Sequence, residues 1–228
     1  MSESQGHRPF IGYRPITAWP RRTDVWILAR PKVPYYGAYP NGFLERARPL
    51  LGVTIHAPVL HVCGGRAREY PNKTRGFGPR DLTLDLDAGL EPDYCQPATD
   101  PLPRYDCGDA TCLTCTDGNY TTGIKGHGWS AMLADPPYTD EDADKYAPGR
   151  TAMPKPNLIL RRMLDAVDVG SRVGMLHYLL PQPPAHTVFV ACVGVVVGFN
   201  NRMRVFSVFE KGAVPVVGAA IGDNGDQA

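Results

Sequence analysis

The chain has 228 residues, 43% of them hydrophobic, which is enough to bury one substantial core and short for two independent domains. Its 24 Lys and Arg stand against 23 Asp and Glu, so global charge points to no polyanion and any nucleic-acid surface has to come from a local patch. No apolar run reaches the roughly 18 residues of a membrane helix, and the start, MSESQGHRPF, lacks the charged-then-apolar order of an export signal, so a soluble cytoplasmic protein with no membrane partner is expected.

Residues 1–35 read as an N-terminal arm punctuated by prolines, whose one apolar run, Val25 to Ala29, suits an edge strand or an extended segment packed on the core. Phe43, Leu44, Ala47, Leu50 and Leu51 fall at helical spacing behind the cap candidate Asn41. Val59 to Cys63 reads as a buried strand running into Gly64-Gly65. Leu82 to Asp85 reads as a second strand ending on an acid, and Pro92 to Gln96 as a short third. Ala131 to Ala134 is a further strand, Asn157 to Val167 an amphipathic helix, and Arg172 to Leu180 a strand. Thr187 to Val197 and Met203 to Phe209 flank an Asn200-Asn201 turn as a hairpin. Strands alternating with helical stretches before a closing hairpin predict an α/β fold with a mostly parallel sheet and an antiparallel C-terminal β-hairpin. Residues 218–228 read as a disordered tail.

The most specific motif is Asp135-Pro136-Pro137-Tyr138 at the end of a strand. Adjacent prolines fix φ and remove two donors, which leaves neighbouring carbonyls free in a rigid direction. A carboxylate and such a carbonyl can accept both hydrogens of an amino group and aim its lone pair, while Tyr138 stacks on a planar base. A proline-rich turn capped by an aromatic is the plainer reading of the same residues.

The tetrapeptide resembles the catalytic motif of the S-adenosylmethionine-dependent DNA amino-methyltransferases that modify adenine N6 or cytosine N4, and the resemblance extends over residues 36–211. It implies a Rossmann-like class I methyltransferase domain over 36–217, with S-adenosylmethionine as cofactor and DNA as partner. By the same resemblance Tyr39, Pro40 and Phe43 cover the methionine end of the cofactor and Cys63, Gly64 and Gly65 form the glycine motif. Asp85, or alternatively Asp87, takes the ribose hydroxyls, and Asp100 faces the adenine ring. Asp135, Pro136, Pro137 and Tyr138 are then the catalytic residues, with adenine N6 as the preferred target. A methyltransferase on RNA or on a protein amide nitrogen, and a silent binding protein of the same fold, are the alternatives. A separate specificity partner is compatible with the small size of the segment between Asp100 and Asp135.

That segment, at about 101–130, carries Cys107, Cys112 and Cys115. The Cys-x-x-Cys spacing suits a structural zinc, with Cys95 or His127 as fourth ligand, and free or redox-active thiols are the other reading. Arg66, Arg68, Lys73, Arg75 and Arg80, opposed only by Glu69, could hold phosphates near the pocket or form a solvated loop. Asp140, Glu141, Asp142 and Asp144 after Thr139 suit a capped first helical turn. His177, at a strand end, is read as structural.

Overall fold

A computed structural model describes residues 20–30, 38–108, 126–146, 153–198 and 203–213. Among them, eight strands form one sheet: β1 (Arg22–Leu28), β2 (Val59–Val62), β3 (Leu82–Asp85), β4 (Tyr94–Cys95), β5 (Trp129–Ala134), β6 (Val167–His177), β7 (Thr187–Val197) and β8 (Met203–Lys211). Their order is β1-β7-β8-β6-β5-β2-β3-β4. All neighbours run parallel except β8, which pairs antiparallel with both β6 and β7. This is the α/β arrangement anticipated above, a mostly parallel sheet closed by an antiparallel C-terminal hairpin, with one strand added at the hairpin edge.

The apolar runs become the central strands because burial on both faces demands continuous hydrophobicity. β2 is buried at all four positions, and β5 is buried at every position but Ser130. Helix α1 (Phe43–Leu51) covers one face with Phe43, Leu44, Ala47 and Leu51, against Val59, Leu133 and Phe206. Its cap is Gly42, at φ 82°, and Asn41 instead uses its side chain to hold the Arg30 carbonyl at 2.9 Å. On the other face α3 (Pro156–Ala166) buries Ile159, Leu160, Met163 and Leu164 against Leu60, Met132, Met175 and Phe209. Pro156 suits the first turn, where its missing donor costs nothing. Between them in sequence, the short α2 (Asp140–Tyr146) follows the proline motif, with the Asp142 N–H donating to Thr139 Oγ1 at 3.1 Å.

The Val25–Ala29 run takes the edge-strand form. Trp26 and Leu28 are buried while Val25 and Ile27 stay exposed. Asp24 accepts from the Val25 N–H at 2.7 Å, occupying a donor that an edge strand otherwise offers to a neighbour. None of the helices among the described residues is long and apolar enough to cross a membrane.

The strand order reverses between β2 and β5: the chain steps outward from β2 through β3 to β4 and returns to β5 on the other side of β2. Open α/β sheets place ligands in the crevice outside the strand ends at such a reversal.

Candidate functional site

Asp135 stands at that reversal. It follows β5 directly, and its N–H donates to the Val62 carbonyl at the end of β2, 3.3 Å away, which ties the proline motif to the glycine turn. Asp135 is buried. Burial raises its carboxyl above the usual carboxylate range, with the Arg204 charge and the Tyr138 hydroxyl opposing the rise.

Tyr138 folds back on the acid. Its hydroxyl donates to Asp135 Oδ1 and accepts from Arg204 Nη1 at 2.8 Å. Tyr178 lies against its ring at 4.5 Å between centroids, the Arg204 guanidinium carbon stands 5.7 Å from its ring centroid, and His177 packs edge-on at 5.4 Å. Burial, and then the Asp135 charge, push the phenol far up, so Tyr138 stays a neutral donor.

His177 fixes the motif's backbone. Its Nδ1 accepts from the Leu179 N–H at 2.9 Å, which leaves the proton on Nε2 to point at the Pro137 carbonyl, 3.4 Å away. Burial lowers its pKa, which favours that neutral form. With the Pro137 carbonyl engaged, the Pro136 carbonyl is the one that no described hydrogen bond claims. The sequence reading treated His177 as structural, and its contacts here are with the motif itself.

Across the crevice, β2 ends in a tight turn in which Cys63 and Gly65 are both left-handed, at φ 52° and 48°. A side chain at Gly64 would come within 2.8 Å of the His61 carbonyl and 3.3 Å of the Thr83 Cβ, so only glycine fits there. Burial, with Asp85 and Asp135 nearby, pushes the Cys63 thiol well up and keeps it protonated. Asp85, at the end of β3, accepts from the N–H groups of Gly65 at 2.8 Å, Leu86 at 2.8 Å and Asp87 at 3.1 Å. Asp87 caps the short 3-10 turn Ala88–Leu90 by accepting from Gly89. Of the two candidate acids, Asp85 therefore faces the glycine turn and Asp87 serves the turn that follows. Asp100 lies on an exposed turn beyond β4, its N–H bonded to the Pro97 carbonyl at 3.2 Å.

Tyr39 is buried and stacked on Phe43 at 5.3 Å, and the Pro40 carbonyl accepts from the Phe43 N–H at 3.0 Å. Burial, followed by the charges of Asp135, Asp81 and Asp85, pushes the Tyr39 phenol well up. Its hydroxyl lies 3.4 Å from His61 Nδ1, and His61 Nε2 faces Asp81 Oδ2 at 3.2 Å. Asp81 also pairs with Arg48, whose Nε and Nη1 donate to the Gly76 and Thr54 carbonyls at 2.6 and 2.8 Å. Burial pushes the Asp81 carboxyl up, but His61 and Arg48 outweigh it and hold the group below the usual carboxylate range.

This hub was not visible in the sequence, where Arg48, His61 and Asp81 lie far apart. It anchors the segment Gly64–Asp81, which contains a single 3-10 turn, Ala67–Glu69.

The basic loop is largely committed internally. Arg66 pairs with Glu69 at 3.0 Å, Arg68 pairs with Asp93, and Arg80 donates to the Tyr105 hydroxyl at 2.6 Å. Lys73 donates to the Arg68 carbonyl and lies 5.1 Å from the Phe77 ring centroid. These contacts fold the loop, and Arg75 is one of its exposed cations.

Cys112 and Cys115 lie outside the described residues. Cys95 is exposed with its thiol toward the Leu86 carbonyl, Cys107 is half-buried, and the His127 backbone pairs with Tyr105. Among the described residues no group of three or more His, Cys, Asp or Glu side chains is gathered as a metal needs.

Arg204 is the functional candidate that sequence reasoning missed. The available signal was its position: an arginine at the start of the last strand of an antiparallel hairpin, which topology brings to the same end of the sheet as the C-terminal ends of the parallel strands.

No protein-family model matches the chain, and no curated protein does. Among solved structures it is similar to TrmN from Thermus thermophilus, at 15% identity and a TM-score of 0.40, over 76% of this chain and 49% of that one, so the chain spans about half of TrmN. It is also similar to a proposed methyltransferase, yhhF, from Escherichia coli, at 12% identity and a TM-score of 0.43, over 82% and 92% of the two chains. A third similar structure is an rRNA methylase from Streptococcus thermophilus, at 10% identity and a TM-score of 0.38, over 76% and 97%.

Proposed function

We propose that the chain is an S-adenosylmethionine-dependent methyltransferase acting on the exocyclic amino group of a DNA base, with adenine N6 the preferred target. The observation that carries the reading is the placement of a buried acid, followed by a rigid Pro-Pro, directly across the β2/β5 reversal from a left-handed glycine turn.

The residues on the glycine side suit an S-adenosyl group. Gly64 and Gly65 permit close backbone approach, Tyr39 and Phe43 are a buried, stacked aromatic pair that supports this side from the core, and Asp85 retains acceptor capacity, since a carboxylate offers about four sites and three N–H groups use it. Cys63 to Gly65 and Asp85 would hold the cofactor, with Tyr39 and Phe43 as buried support, Pro40 shaping the entry to α1 and Asp100 on the outer rim. When bound, the cofactor supplies an electrophilic methyl group.

On the facing side Asp135 and the Pro136 carbonyl accept the two amino hydrogens and turn the nitrogen lone pair toward the methyl. His177 keeps the backbone of the motif from drifting by holding the Pro137 carbonyl. Tyr138 leaves Asp135 and lies along the entering base. The lone pair attacks first, so no strong base is needed, and the proton departs afterwards through the Asp135 carboxylate. Orientation and exclusion of water provide most of the acceleration.

A second reading replaces the nucleobase by the amide nitrogen of a protein side chain. It is favoured by charge at the mouth, because Arg66, Arg68 and Arg80 are tied to partners within the protein while Asp140, Glu141 and Asp142 open α2 directly after the motif. The test is cofactor binding by calorimetry, followed by the partition of a labelled methyl among unmethylated DNA, total RNA and protein. Label in DNA as N6-methyladenine supports the first reading and label in protein amides the second. Absence of cofactor binding overturns both.

A further inference from the structure

One charged group in the pocket has no task in the chemistry above. Arg204 lies at the start of β8, and because β8 runs antiparallel to β6 its first residues land beside the end of β6, where His177 pairs with Val205. From there Nη1 reaches the Tyr138 hydroxyl at 2.8 Å and stands 4.0 Å from Asp135 Oδ2. The arginine side chain is 14% exposed and that of Asp135 is 3% exposed. Burying a guanidinium this far is costly without strong partners, and the Tyr138 hydroxyl with an Asp135 carboxylate held at 4.0 Å leaves it without a direct charged hydrogen bond among the described contacts.

The Tyr138 hydroxyl makes two opposite bonds at once, donating to Asp135 and accepting from Arg204. A molecular edge that carries an N–H beside an acceptor makes the same pair of bonds. Asp135 Oδ2 and Arg204 Nη1 are too far apart to bond each other. Their separation leaves them side by side, free to take one bond each from such an edge. Adenine presents it as N6 and N1 and cytosine as N4 and N3, whereas an alkylamine lacks the acceptor.

Resting on the methyl-transfer reading, we infer that Asp135 and Arg204 jointly read an amino group flanked by a ring nitrogen. Asp135 takes the amino hydrogen, Arg204 donates to the neighbouring acceptor, and the Tyr138 hydroxyl, which bonds Asp135 Oδ1 and Arg204 Nη1, gives way as the base enters. Arg204 is thus a specificity residue that separates nucleobase amidine edges from plain amines. Selectivity of this kind arises because an analogue without the acceptor leaves a buried donor unpaired.

The test compares adenine with 1-deazaadenine, which keeps shape and amino group but carries C–H in place of N1. Both are titrated by NMR into protein saturated with S-adenosylhomocysteine. The native protein is expected to bind adenine tighter by roughly ten- to a hundred-fold, the range of a charged hydrogen bond. Arg204→Met should lose that preference while retaining S-adenosylhomocysteine affinity, and Arg204→Lys should recover only part of it. Equal binding of both bases by the native protein, or a preference that persists in Arg204→Met, overturns the role of Arg204 alone. Binding of neither base by cofactor-loaded protein overturns the nucleobase reading and the inference with it. The native comparison decides by itself if the methionine variant fails to fold.

Discussion

The two connections that flank the crevice are held by different physics. After β5 the chain passes through α2 and α3, and α3 is fixed by apolar packing of Ile159, Leu160, Met163 and Leu164 at helical spacing. After β2 it passes through irregular backbone whose anchor is the buried hub of Arg48, Asp81 and His61. The β5 side, proposed to hold the substrate, therefore rests on transfer of apolar surface, and the β2 side, proposed to hold the cofactor, on a charged cluster whose value depends on every member being present. A helix that packs tolerates gradual change, whereas a buried ion cluster fails when one partner is lost.

The largest expected effect breaks the hub. Asp81→Ala leaves the Arg48 guanidinium buried without its counter-ion, and stability should fall by about 3–5 kcal/mol in urea unfolding, with cofactor binding lost alongside. The hub also has a pH signature. Because the folded Asp81 sits below its ordinary pKa, its stabilisation is present above about pH 4 and is lost as the pH falls through the folded value. Asp85 and Asp135 are raised by burial and have the opposite sign, weakening the fold as pH rises through their range. An acid titration of native protein beside Asp81→Asn should show the native advantage shrinking at the acid end.

Met163→Ala opens a cavity in the apolar half. It should cost about 2–5 kcal/mol, yet leave cofactor affinity in the surviving folded fraction unchanged, which sharpens the contrast between the halves. Gly64→Ala is smaller, about 1–3 kcal/mol, because its methyl meets the His61 carbonyl. It should nevertheless weaken cofactor binding more than Met163→Ala does, as measured by calorimetry. A Gly64→Ala protein with native affinity would remove the glycine turn from the cofactor site.

What the sequence made legible follows from how far apart the determining residues lie. Continuous apolar runs closed by Gly64-Gly65, Asp85 or Pro136-Pro137 announce buried strands and their ends, and those ends are where the crevice forms. The period of Ile159, Leu160, Met163 and Leu164 announces α3 in the same local way. The Arg48–Asp81–His61 hub and the Arg204–Tyr138 contact depend on pairings across 33 and 66 positions, which no local pattern encodes. The basic loop shows the converse: Arg66, Arg68 and Arg80 are evident as charges in the sequence, and Glu69 stands beside them there, but the pairing of Arg68 with Asp93 and of Arg80 with Tyr105 is evident only in the fold. The cap at α1 passed from Asn41 to Gly42 because the chain enters the helix in a left-handed turn while Asn41 is drawn to Arg30.

The central claim is that the β2/β5 crevice transfers a methyl group at Asp135, and the most direct measurement is transfer of labelled methyl from S-adenosylmethionine to unmethylated double-stranded DNA by native protein and by Asp135→Asn. The substitution removes a carboxylate that burial disfavours, so the variant should be at least as stable as native at pH 7 and should bind the cofactor. The account predicts N6-methyladenine with native protein and a loss of at least about a hundred-fold in the variant, the scale of one positioned transition-state group. Equal transfer by both proteins would contradict it.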